Sequence, residues 1–397
     1  MHIERLELTD FRSYAEARLE LGPGVRVLVG PNAQGKTNLL EAISYLATGT
    51  SHRVPTDAPL VRAGAEAAVV RVHARVDTAD GPGRPLRVEL ELRPGGRNRA
   101  QVNGQPRPRT RDAFGLVRSV LFAPEDIELV RGDPAGRRRF LDELLAQRRP
   151  AFAAARQEYE RVLRQRNSLL KTARTGGPGA AAIASTLETW TESLVTAGAT
   201  IMAARIAALH ALAGPTAAAY AELVAGEAAA GSDEVVLAYE LSTGRRVVGE
   251  PGAGVPDPGE LAAELRAGLE AVAAAERERG VTLAGPHRDE LFLGIGGLPA
   301  KGYASHGESW SLALALRLAS REVLREVGEE PVVLLDDVFA ELDSSRRERL
   351  AARCAAFEQV IVTAAVDEDV PLAGPRHLVR RGSVTTEPVA VAAGDGR

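Results

Sequence analysis

The amino-acid sequence predicts an α/β fold whose two halves are separated by an α-helical insertion. Three observations support this prediction. Apolar and polar residues alternate as in strands over residues 1–148, around one strand–loop–helix, and apolar residues recur at helical spacing over 149–282. Helix-like and strand-like patterns follow one another again over 283–397. We therefore expect the first and last regions to form the two halves of one α/β head. The middle region is then an arm inserted into that head.

The N-terminal region begins with three short runs in which apolar and polar residues alternate. These runs cover residues 3–8, 17–21 and 25–29 and are separated by turn-forming residues, so each predicts a strand. Asn38–Ala47 then carries its apolar residues at helical spacing. Residues 67–103 return to alternation, which predicts further strands.

The middle region is rich in alanine and predicts an antiparallel helical hairpin. One helix is expected around Phe152–Leu170, and a second from about Ile183 to Leu212, where Gly214–Pro215 should end it. A short strand at Val235–Leu241 and a helix at Pro258–Arg279 should follow. A 25-residue helix is only about 38 Å long, so we expect a short arm and not a long coiled coil.

The C-terminal region alternates helices with apolar strands. Ser309–Glu326 and Ser344–Phe357 have helical periodicity, while Val332–Leu335 and Val360–Val362 are continuous apolar runs of the kind found in strands buried on both faces. From about residue 386 the periodicity is lost, which predicts a loose tail.

Composition excludes several classes of protein. The 397 residues include 49 basic and 53 acidic side chains, for a net charge of −4, so any polyanionic partner must meet a local basic patch. The single cysteine, Cys354, excludes a disulfide framework and a multi-cysteine zinc site. We find no apolar signal-peptide core and no apolar run of the roughly 18 residues that a membrane span needs. The composition therefore predicts a cytoplasmic protein without a membrane partner.

The strongest motif is a glycine-rich loop that follows a predicted strand and opens a predicted helix. It matches G-x4-G-K-[ST] and consists of Gly30, Pro31, Asn32, Ala33, Gln34, Gly35, Lys36 and Thr37. The two glycines let backbone N–H groups point at phosphate oxygens, Lys36 reaches the β and γ phosphates, and Thr37 offers a hydroxyl to Mg²⁺. A chance match is the alternative, and the presence of only three lysines in the chain argues against it. The loop predicts binding of ATP with Mg²⁺.

A second motif is the acidic end of the apolar run at Val332–Leu335. Asp336 and Asp337 follow this run directly, and a buried strand that ends in a carboxylate is how Mg²⁺ is held beside such a loop. We expect Asp336 to bind the metal, directly or through water, and Asp337 to polarise the attacking water. Two ordinary surface carboxylates are the alternative.

The distance between these motifs points to a particular class of ATPase. Three hundred residues separate Lys36 from Asp336, which is too many for a small GTPase or a simple nucleotide kinase. The heads of ABC-type ATPases add a Ser-x-Gly loop before the acidic strand, and Ser305 and Gly307 stand at that place. In that class the loop faces the γ-phosphate held by a second subunit. An ordinary helix N-cap at Ser305 is the alternative.

The sequence resembles the RecF family of bacterial recombination-mediator ATPases over essentially its whole length. The resemblance rests on six blocks: Leu8-x-x-Phe11-Arg12-Ser13-Tyr14; Asn32-x-x-Gly35-Lys36-Thr37-Asn38-Leu39-Leu40-Glu41-Ala42-Ile43; Phe122-x-Pro124-Glu125-Asp126-Ile127-x-Leu129-Val130-x-Gly132-x-Pro134; Arg137-Arg138-Arg139-Phe140-Leu141-Asp142; Gly285-Pro286-His287-Arg288-Asp289; and Leu335-Asp336-Asp337-Val338-x-x-Glu341-Leu342-Asp343. The third and fifth are the most specific to the family.

The resemblance implies an ABC-type ATPase that dimerises on ATP and binds single- or double-stranded DNA at gaps. It further implies that the protein helps RecA to load together with RecO and RecR, and acts in replication-fork recovery and SOS induction. Slow, DNA-stimulated hydrolysis would reset the dimer. Asp343 would be the D-loop carboxylate that crosses the dimer, and Thr363 would occupy the switch position.

One residue departs from the pattern that the resemblance implies. Glu308 stands where the family usually carries glutamine, directly after Ser305-His306-Gly307. A carboxylate near the γ-phosphate would weaken ATP-driven dimerisation unless it is paired or turned away.

The DNA-binding surface is predicted from clustered arginines. Arg84–Arg111 contains eight arginines and two glutamates, and Arg137–Arg139 adds a second cluster. Arginines of this kind can bind the phosphate backbone, although a solvated face in an arginine-rich chain is the alternative. Only 4% of the residues are aromatic, so we expect little base stacking.

A motor subunit of a membrane transporter and a small-molecule kinase are the competing functions.

Overall fold

The computed structural model describes residues 1–78, 81–174, 180–225 and 234–386, and these divide into two compact units. The first unit combines Met1–Asp126 with the described part of Ser320–Arg397, and the second is Ile127–Ala319. The predicted tail lies, beyond residue 386, outside the described residues.

The described residues form sixteen strands and nine α-helices. The strands are β1 His2–Phe11, β2 Tyr14–Glu20, β3 Gly24–Val29, β4 Ala68–Thr78, β5 Gly81–Leu92, β6 Arg99–Val102, β7 Gln105–Pro106, β8 Ser119–Phe122, β9 Val235–Glu240, β10 Arg246–Val248, β11 Glu290–Ile295, β12 Leu298–Pro299, β13 Val332–Asp336, β14 Gln359–Ala364, β15 Arg376–Arg380 and β16 Ser383–Thr386. The helices are α1 Lys36–Thr48, α2 Ile127–Arg131, α3 Pro134–Arg148, α4 Pro150–Arg174, α5 Ala180–Leu223, α6 Pro258–Arg279, the single turn α7 Ala300–Tyr303, α8 His306–Arg325 and α9 Ser344–Cys354.

The first unit contains a mostly parallel sheet with the strand order β16-β15-β3-β14-β13-β8. Every residue of β13 and β14 is buried, as expected of apolar strands covered on both faces. The register pairs Leu28 of β3 with Thr363 of β14, and Thr363 with Asp336 of β13. The strands predicted at 25–29, 332–335 and 360–362 are thus confirmed, and their carboxyl ends share one edge of the sheet.

A second sheet of the first unit is antiparallel, with the order β2-β1-β4-β5-β6-β7. Alternate residues of β1, β4 and β5 join a hydrophobic core that also includes α1 and the parallel sheet. On the opposite face Arg71 bridges Glu7 and Glu89, with both N–O distances 2.7 Å. One face is therefore apolar and the other carries ion pairs, which is the arrangement that the alternation predicted.

The second unit is built around α4, α5 and α6. The α6 bounds agree with the prediction, but the expected end of α5 at Gly214–Pro215 is wrong, because the helix continues through Pro215 to Leu223. Leu212, Thr216 and Tyr220 are all buried, so continuing the helix keeps one face of it in the core and outweighs the hydrogen bond lost at proline. With 44 residues α5 extends over about 66 Å, so the arm is longer than predicted.

Part of α5, Ser185–Leu223, is long and apolar enough to cross a membrane by length and composition alone. However, 61% of its most apolar window is buried inside the structure. Leu194, Val195 and Ile206 on this helix are completely buried. Its apolar character is therefore explained by its place in the core of the second unit.

The second unit also has its own antiparallel sheet, in the order β10-β9-β11-β12. Because β11 pairs with β9 along its whole length, residues after 282 join this unit. The second unit is therefore larger at both ends than the predicted arm of 149–282, and the three-part division of 1–148, 149–282 and 283–397 stays a prediction.

His287 is held inside the second unit by two hydrogen bonds. Its Nδ1 lies 2.7 Å from the Tyr159 hydroxyl, and its Nε2 lies 3.3 Å from the Thr282 carbonyl oxygen. A neutral ring satisfies both contacts, because the tyrosine donates to one nitrogen and the other donates to the carbonyl. Burial lowers the pKa of His287 to about 4, and the charge of Arg288 adds to this lowering.

We predict that His287 makes the stability of the protein depend on pH. The unfolded chain binds a proton at this residue near pH 6.5, whereas the folded chain does so only near pH 4, so stability falls as the pH drops through this window. The resulting loss of unfolding free energy between pH 8 and pH 4 is roughly 3 kcal/mol. Urea unfolding of the wild type and of His287→Gln at pH 4 to 8 measures it: the stability advantage of the wild type should shrink by this amount at low pH. An advantage that stays constant from pH 8 to pH 4 would contradict the prediction.

Candidate nucleotide-binding site

The loop between β3 and α1 depends on two glycines. A Cβ on Gly30 would lie 2.2 Å from the carbonyl oxygen of Val379, which is too close for any other residue. Gly35 has a φ of +109° and precedes the first residue of α1, and a Cβ there would approach Ser13 Oγ and Tyr14 Oη to 2.9 Å. The loop therefore has the curled backbone that the motif predicted.

Lys36 and Thr37 form the first turn of α1. The Lys36 ammonium donates to the carbonyl oxygens of Gly30, at 2.8 Å, and Pro31, at 3.3 Å, so its side chain lies back over the loop. Lys36 is buried apart from 4% of its surface. Pro31, Asn32 and Ala33 are exposed, and the half-buried Gln34 accepts a hydrogen bond from the Arg381 N–H through its Oε1 atom.

Asp336 is held at the end of β13 by two hydroxyl groups. Thr37 donates to its Oδ1 atom at 3.0 Å and Thr363 donates to the same atom at 2.6 Å. Burial raises the pKa of Asp336 above its ordinary value, the neighbouring Asp337 and Glu125 add to this rise, and the two hydrogen bonds oppose it. A carboxylate that is destabilised in this way favours a nearby cation.

Asp337 begins the turn that follows β13. Its φ of +50° is rare for a residue other than glycine, and its backbone N–H donates to Thr363 Oγ1 at 2.9 Å. Thr363 therefore positions both acidic residues. Asp337 also lines a cavity of about 360 Å³, whose lining residues are Ser13, Asn32, Ala33, Gly35, Lys36, Thr37, Asn38, Arg53 and Asp337.

Three residues of this cavity were not assigned to the site from the sequence. Asn38 donates to Ser13 Oγ at 2.9 Å, and Arg53 donates to the Asn38 side-chain oxygen, also at 2.9 Å. Arg53 also lies 3.5 Å from Glu41, which is completely buried and forms a bidentate pair with Arg12. Ser13 and Asn38 belong to two of the sequence blocks on which the family resemblance rests. No local pattern indicates Arg53, because only the fold brings it to the cavity.

The groups at this edge of the sheet fit a triphosphate with Mg²⁺. Gly35 has no side chain to cap α1, and the first turn of the helix has no acidic residue, so its N–H groups and positive dipole end suit an anion. The oxygen atoms of Thr37 and Asp336 are hard ligands of the type that Mg²⁺ prefers beside a phosphate. Lys36 can release its two carbonyl contacts in exchange for phosphate oxygens.

The Ser-x-Gly loop lies in the second unit and forms a capping box at the start of α8. The Ser305 N–H donates to Glu308 Oε2 at 2.8 Å, and the Glu308 N–H donates to Ser305 Oγ at 3.2 Å. The helix therefore begins at His306, three residues before its predicted start, and Gly307 lies in its first turn. The Glu308 carboxylate thus accepts a hydrogen bond from a neutral backbone N–H of the loop. The Ser305 hydroxyl keeps its own hydrogen for a further acceptor.

Arg131 holds this loop from the side. Its Nε donates to Ser309 Oγ at 3.1 Å, and Ser309 in turn donates to the Ser305 carbonyl oxygen at 2.7 Å. Arg131 itself is exposed. The loop is therefore tied to Arg131 through Ser309 and carries a cation beside it, which suits an approaching phosphate.

Asp343 caps the N-terminus of α9 within its own chain. It accepts a hydrogen bond from the Arg346 N–H at 2.9 Å and pairs with the Arg346 guanidinium. Although burial opposes the change, these contacts lower the pKa of Asp343. The D-loop role of Asp343 stays a prediction.

The arginine clusters expected to bind DNA are largely occupied by contacts inside the protein. Arg87, Arg93 and Arg99 pair with Glu89 or Glu91 on the antiparallel sheet. Arg137 is buried and forms a bidentate pair with Glu290, at 2.7 and 2.9 Å, so its predicted phosphate contact is wrong. A buried ion pair of this kind anchors α3 to β11, and of the Arg137–Arg139 cluster only Arg139 is exposed.

Comparison with known proteins identifies close relatives. The model of the RecF/RecN/SMC N terminal domain family matches residues 2–380. DNA replication and repair protein RecF of Streptomyces avermitilis is 53% identical over 97% of this chain and 99% of its own length, and that of Frankia alni is 54% identical over the same shares. A structure described as the recombination mediator protein RecF-ATPrS in the RecFOR pathway covers 98% of each chain at 29% identity, with a TM-score of 0.85. The Smc head domain of Pyrococcus furiosus, at 18% identity and a TM-score of 0.52, shares the fold.

We predict that Thr363 controls the response of the site to Mg²⁺. Thr363→Val removes the hydroxyl that donates to Asp336 and accepts from the Asp337 N–H, so neither acidic residue is held in place at the end of β13. Loss of a group that orients a metal ligand weakens metal binding by about 10- to 100-fold, so the Mg²⁺ concentration that half-saturates binding of a fluorescent ATP analogue should rise roughly tenfold or more. Thr363→Ser keeps the hydroxyl and should behave as the wild type, and equal Mg²⁺ dependence of the valine variant would contradict this role.

Proposed function

This chain belongs to the RecF family, and we propose that it is an ATP-gated DNA-binding protein of recombinational repair and replication-fork recovery. In this proposal ATP with Mg²⁺ brings two copies together on gapped, single- or double-stranded DNA in the cytoplasm. The dimer acts with RecR and RecO to help RecA load, and through RecA it supports SOS induction. The observation that carries the proposal is the hydrogen bond from Thr37 to Asp336, which joins the phosphate loop to the acidic strand.

Each copy supplies half of the closed site in this proposal. Lys36, Thr37 and Asp336 bind the triphosphate and its metal in one copy. Ser305 and Gly307 of the second copy face the γ-phosphate, and Asp343 crosses the dimer. In support, all nine residues that line the cavity belong to the first unit, whereas Ser305 and Gly307 belong to the second. The free hydroxyl hydrogen of Ser305 and the cationic Arg131 beside it suit a phosphate that arrives from another molecule.

Hydrolysis would act as a timer in this proposal. Asp337 lies at the cavity and would polarise the attacking water, while Lys36 would stabilise charge on the β and γ phosphates. Loss of the γ-phosphate removes the group that Ser305 of the second copy holds, so the dimer opens. We expect slow turnover, because a fast reaction would release DNA before a partner arrives. We also expect DNA to stimulate hydrolysis, so that hydrolysis resets dimers that have bound DNA.

The competing functions gain no support. The relatives and structures reported above include no transporter subunit and no small-molecule kinase. A transporter motor would also show no salt-sensitive affinity for DNA, so the DNA titrations described below separate the two functions.

We predict that dimerisation depends on the Lys36 ammonium. Sedimentation of the wild type with Mg²⁺ and a nonhydrolysable ATP analogue should show a dimer. Lys36→Met removes a charge-assisted hydrogen bond to phosphate, so its dimerisation should weaken by roughly 10- to 100-fold. Arg266→Met, which removes one positive charge from the surface of α6, is the control and should dimerise as the wild type. Dimerisation that is equal in all three proteins would contradict the coupling to ATP.

We predict that Glu308 moderates the strength of this dimer. Glu308→Gln keeps an oxygen for the Ser305 N–H but removes a negative charge from the approaching triphosphate, so the dimer should tighten by about tenfold. Glu308→Ala also removes the charge but loses the capping box, which costs about 1 kcal/mol of helix stability and frees the Ser305 side chain. The glutamine variant should therefore dimerise more tightly than either the alanine variant or the wild type. If it dimerised less tightly than the wild type, the carboxylate would be a positive requirement and this account would fail.

A further inference from the structure

One stretch of the arm carries an unusual excess of positive charge. Between Glu160 and Glu188 the sequence has five basic residues and no acidic residue. Lys171 in this stretch is one of only three lysines in the chain. The stretch covers the C-terminal half of α4 and the start of α5. Such a run is unexpected in a protein whose net charge is −4.

Three of these residues share one side of α4. Arg164, Lys171 and Arg174 are all exposed, and their spacing of seven and three residues places them in one sector of the helix. Asn167 lies in the same sector and fixes its direction, because its side-chain oxygen accepts hydrogen bonds from the N–H and hydroxyl of Thr282. The sector therefore adjoins the chain that follows α6.

The end of α6 brings further cations to the same place. A Cβ on Gly280, the residue that ends α6, would lie 3.4 Å from Lys171 Cγ and 3.6 Å from Arg174 Nε. The buried pair of Arg166 with Glu276, at 2.7 Å, holds the two helices together just before this point. The C-terminal ends of α4 and α6 thus meet.

We name this region the arm cationic surface. Its members are exposed basic side chains on the two helix ends and on the loop after α6, namely Arg164, Lys171, Arg174, Arg277, Arg279 and Arg288. Glu278 is the only acidic residue between Arg277 and Arg288 in the sequence. None of the six forms an ion pair with a carboxylate in the part of the chain that the structure describes.

Other arginines of the same unit behave differently. Arg161 pairs with Glu158, Arg266 with Glu192, and Arg245 with Glu260, although these arginine side chains are 37–49% exposed. The lack of pairing on the arm cationic surface is therefore local.

Helix dipoles explain only part of this surface. Cations in the last turn of a helix stabilise its negative end, which accounts for Arg174, Arg277 and Arg279. Arg164 lies ten residues before the end of α4, and Arg288 lies outside any helix. Like charges gathered without partners repel one another, so their grouping favours an anionic ligand.

We propose that the arm cationic surface binds the phosphate backbone of DNA, and this inference rests on the proposed function and gives it a location. From Arg164 to Arg174 the helix rises about 15 Å, over which one strand of duplex DNA carries about four phosphates. None of the six residues is aromatic, so the surface reads charge and shape and not base sequence. It differs from the arginine clusters predicted from the sequence, because its cations are free to release counterions from DNA.

The test uses the full chain, a gapped DNA duplex and a nonhydrolysable ATP analogue at several salt concentrations. The variant is Arg164→Gln/Lys171→Gln/Arg174→Gln, in which glutamine preserves helix propensity. The matched control, Arg161→Gln/Arg245→Gln/Arg266→Gln, removes the same charge from arginines that are paired with glutamates. Fluorescence anisotropy measures affinity, and thermal unfolding and sedimentation verify that both proteins fold and dimerise.

The variant should bind DNA at least tenfold more weakly than the wild type at low salt. The slope of log K against log salt should also become shallower, by about 2–3, while the control keeps the affinity and slope of the wild type. If the wild type binds no DNA, the proposed function itself fails. If it binds and the variant matches it in affinity and slope, the arm surface is not the contact. Equal loss of affinity for a poly-glutamate probe would show a general polyanion site and overturn the assignment to DNA.

Discussion

The hydrogen bonds that Thr37 and Thr363 donate to Asp336 are the contacts on which the rest of the site depends. The first joins residues 299 positions apart and the second joins residues 27 apart, and both exist because β3, β14 and β13 are parallel neighbours in one sheet. Parallel strands end at the same edge, so the loop after β3 and the acids after β13 meet there whatever the chain does between them. A large insertion is therefore tolerated, since it leaves this register unchanged.

The sequence was most informative where local pattern and tertiary environment agree. The strands of the parallel sheet are continuous apolar runs, and the glycine-rich loop lies between a strand and a helix, so the positions of both were predicted correctly. Pro215 is the opposite case, because its local preference is to end a helix, but Leu212 and Tyr220 on either side are buried by distant residues. Arg53 reaches the cavity through its proximity to Glu41 and Asn38, and no local pattern encodes such a contact.

The block at Gly285–Asp289 was a strong indicator of family, and the structure gives it an architectural role. Arg205 of α5 pairs with Asp142 of α3 and donates to the Pro286 carbonyl oxygen, at 2.6 Å. Tyr239 of β9 donates to Asp289, at 2.8 Å, in the same buried network. Removing one member of a buried ionic network leaves the other charged groups buried without partners. This destabilises the fold by more than the intact network stabilises it. Such residues are constrained by each other, although none of them touches the nucleotide cavity.

The distribution of charge explains how a protein of net charge −4 could bind a polyanion. Most arginines on the antiparallel sheet are neutralised by glutamates on neighbouring strands, as Arg71 is by Glu7 and Glu89. Pairs of this kind present little net field to an approaching DNA molecule, however many arginines the segment contains. Cations without a carboxylate partner among the described residues, such as Lys171 and Arg174, act through their full charge within a Debye length of about 8–10 Å. The arrangement of ion pairs, and not the count of basic residues, therefore decides where phosphate is attracted.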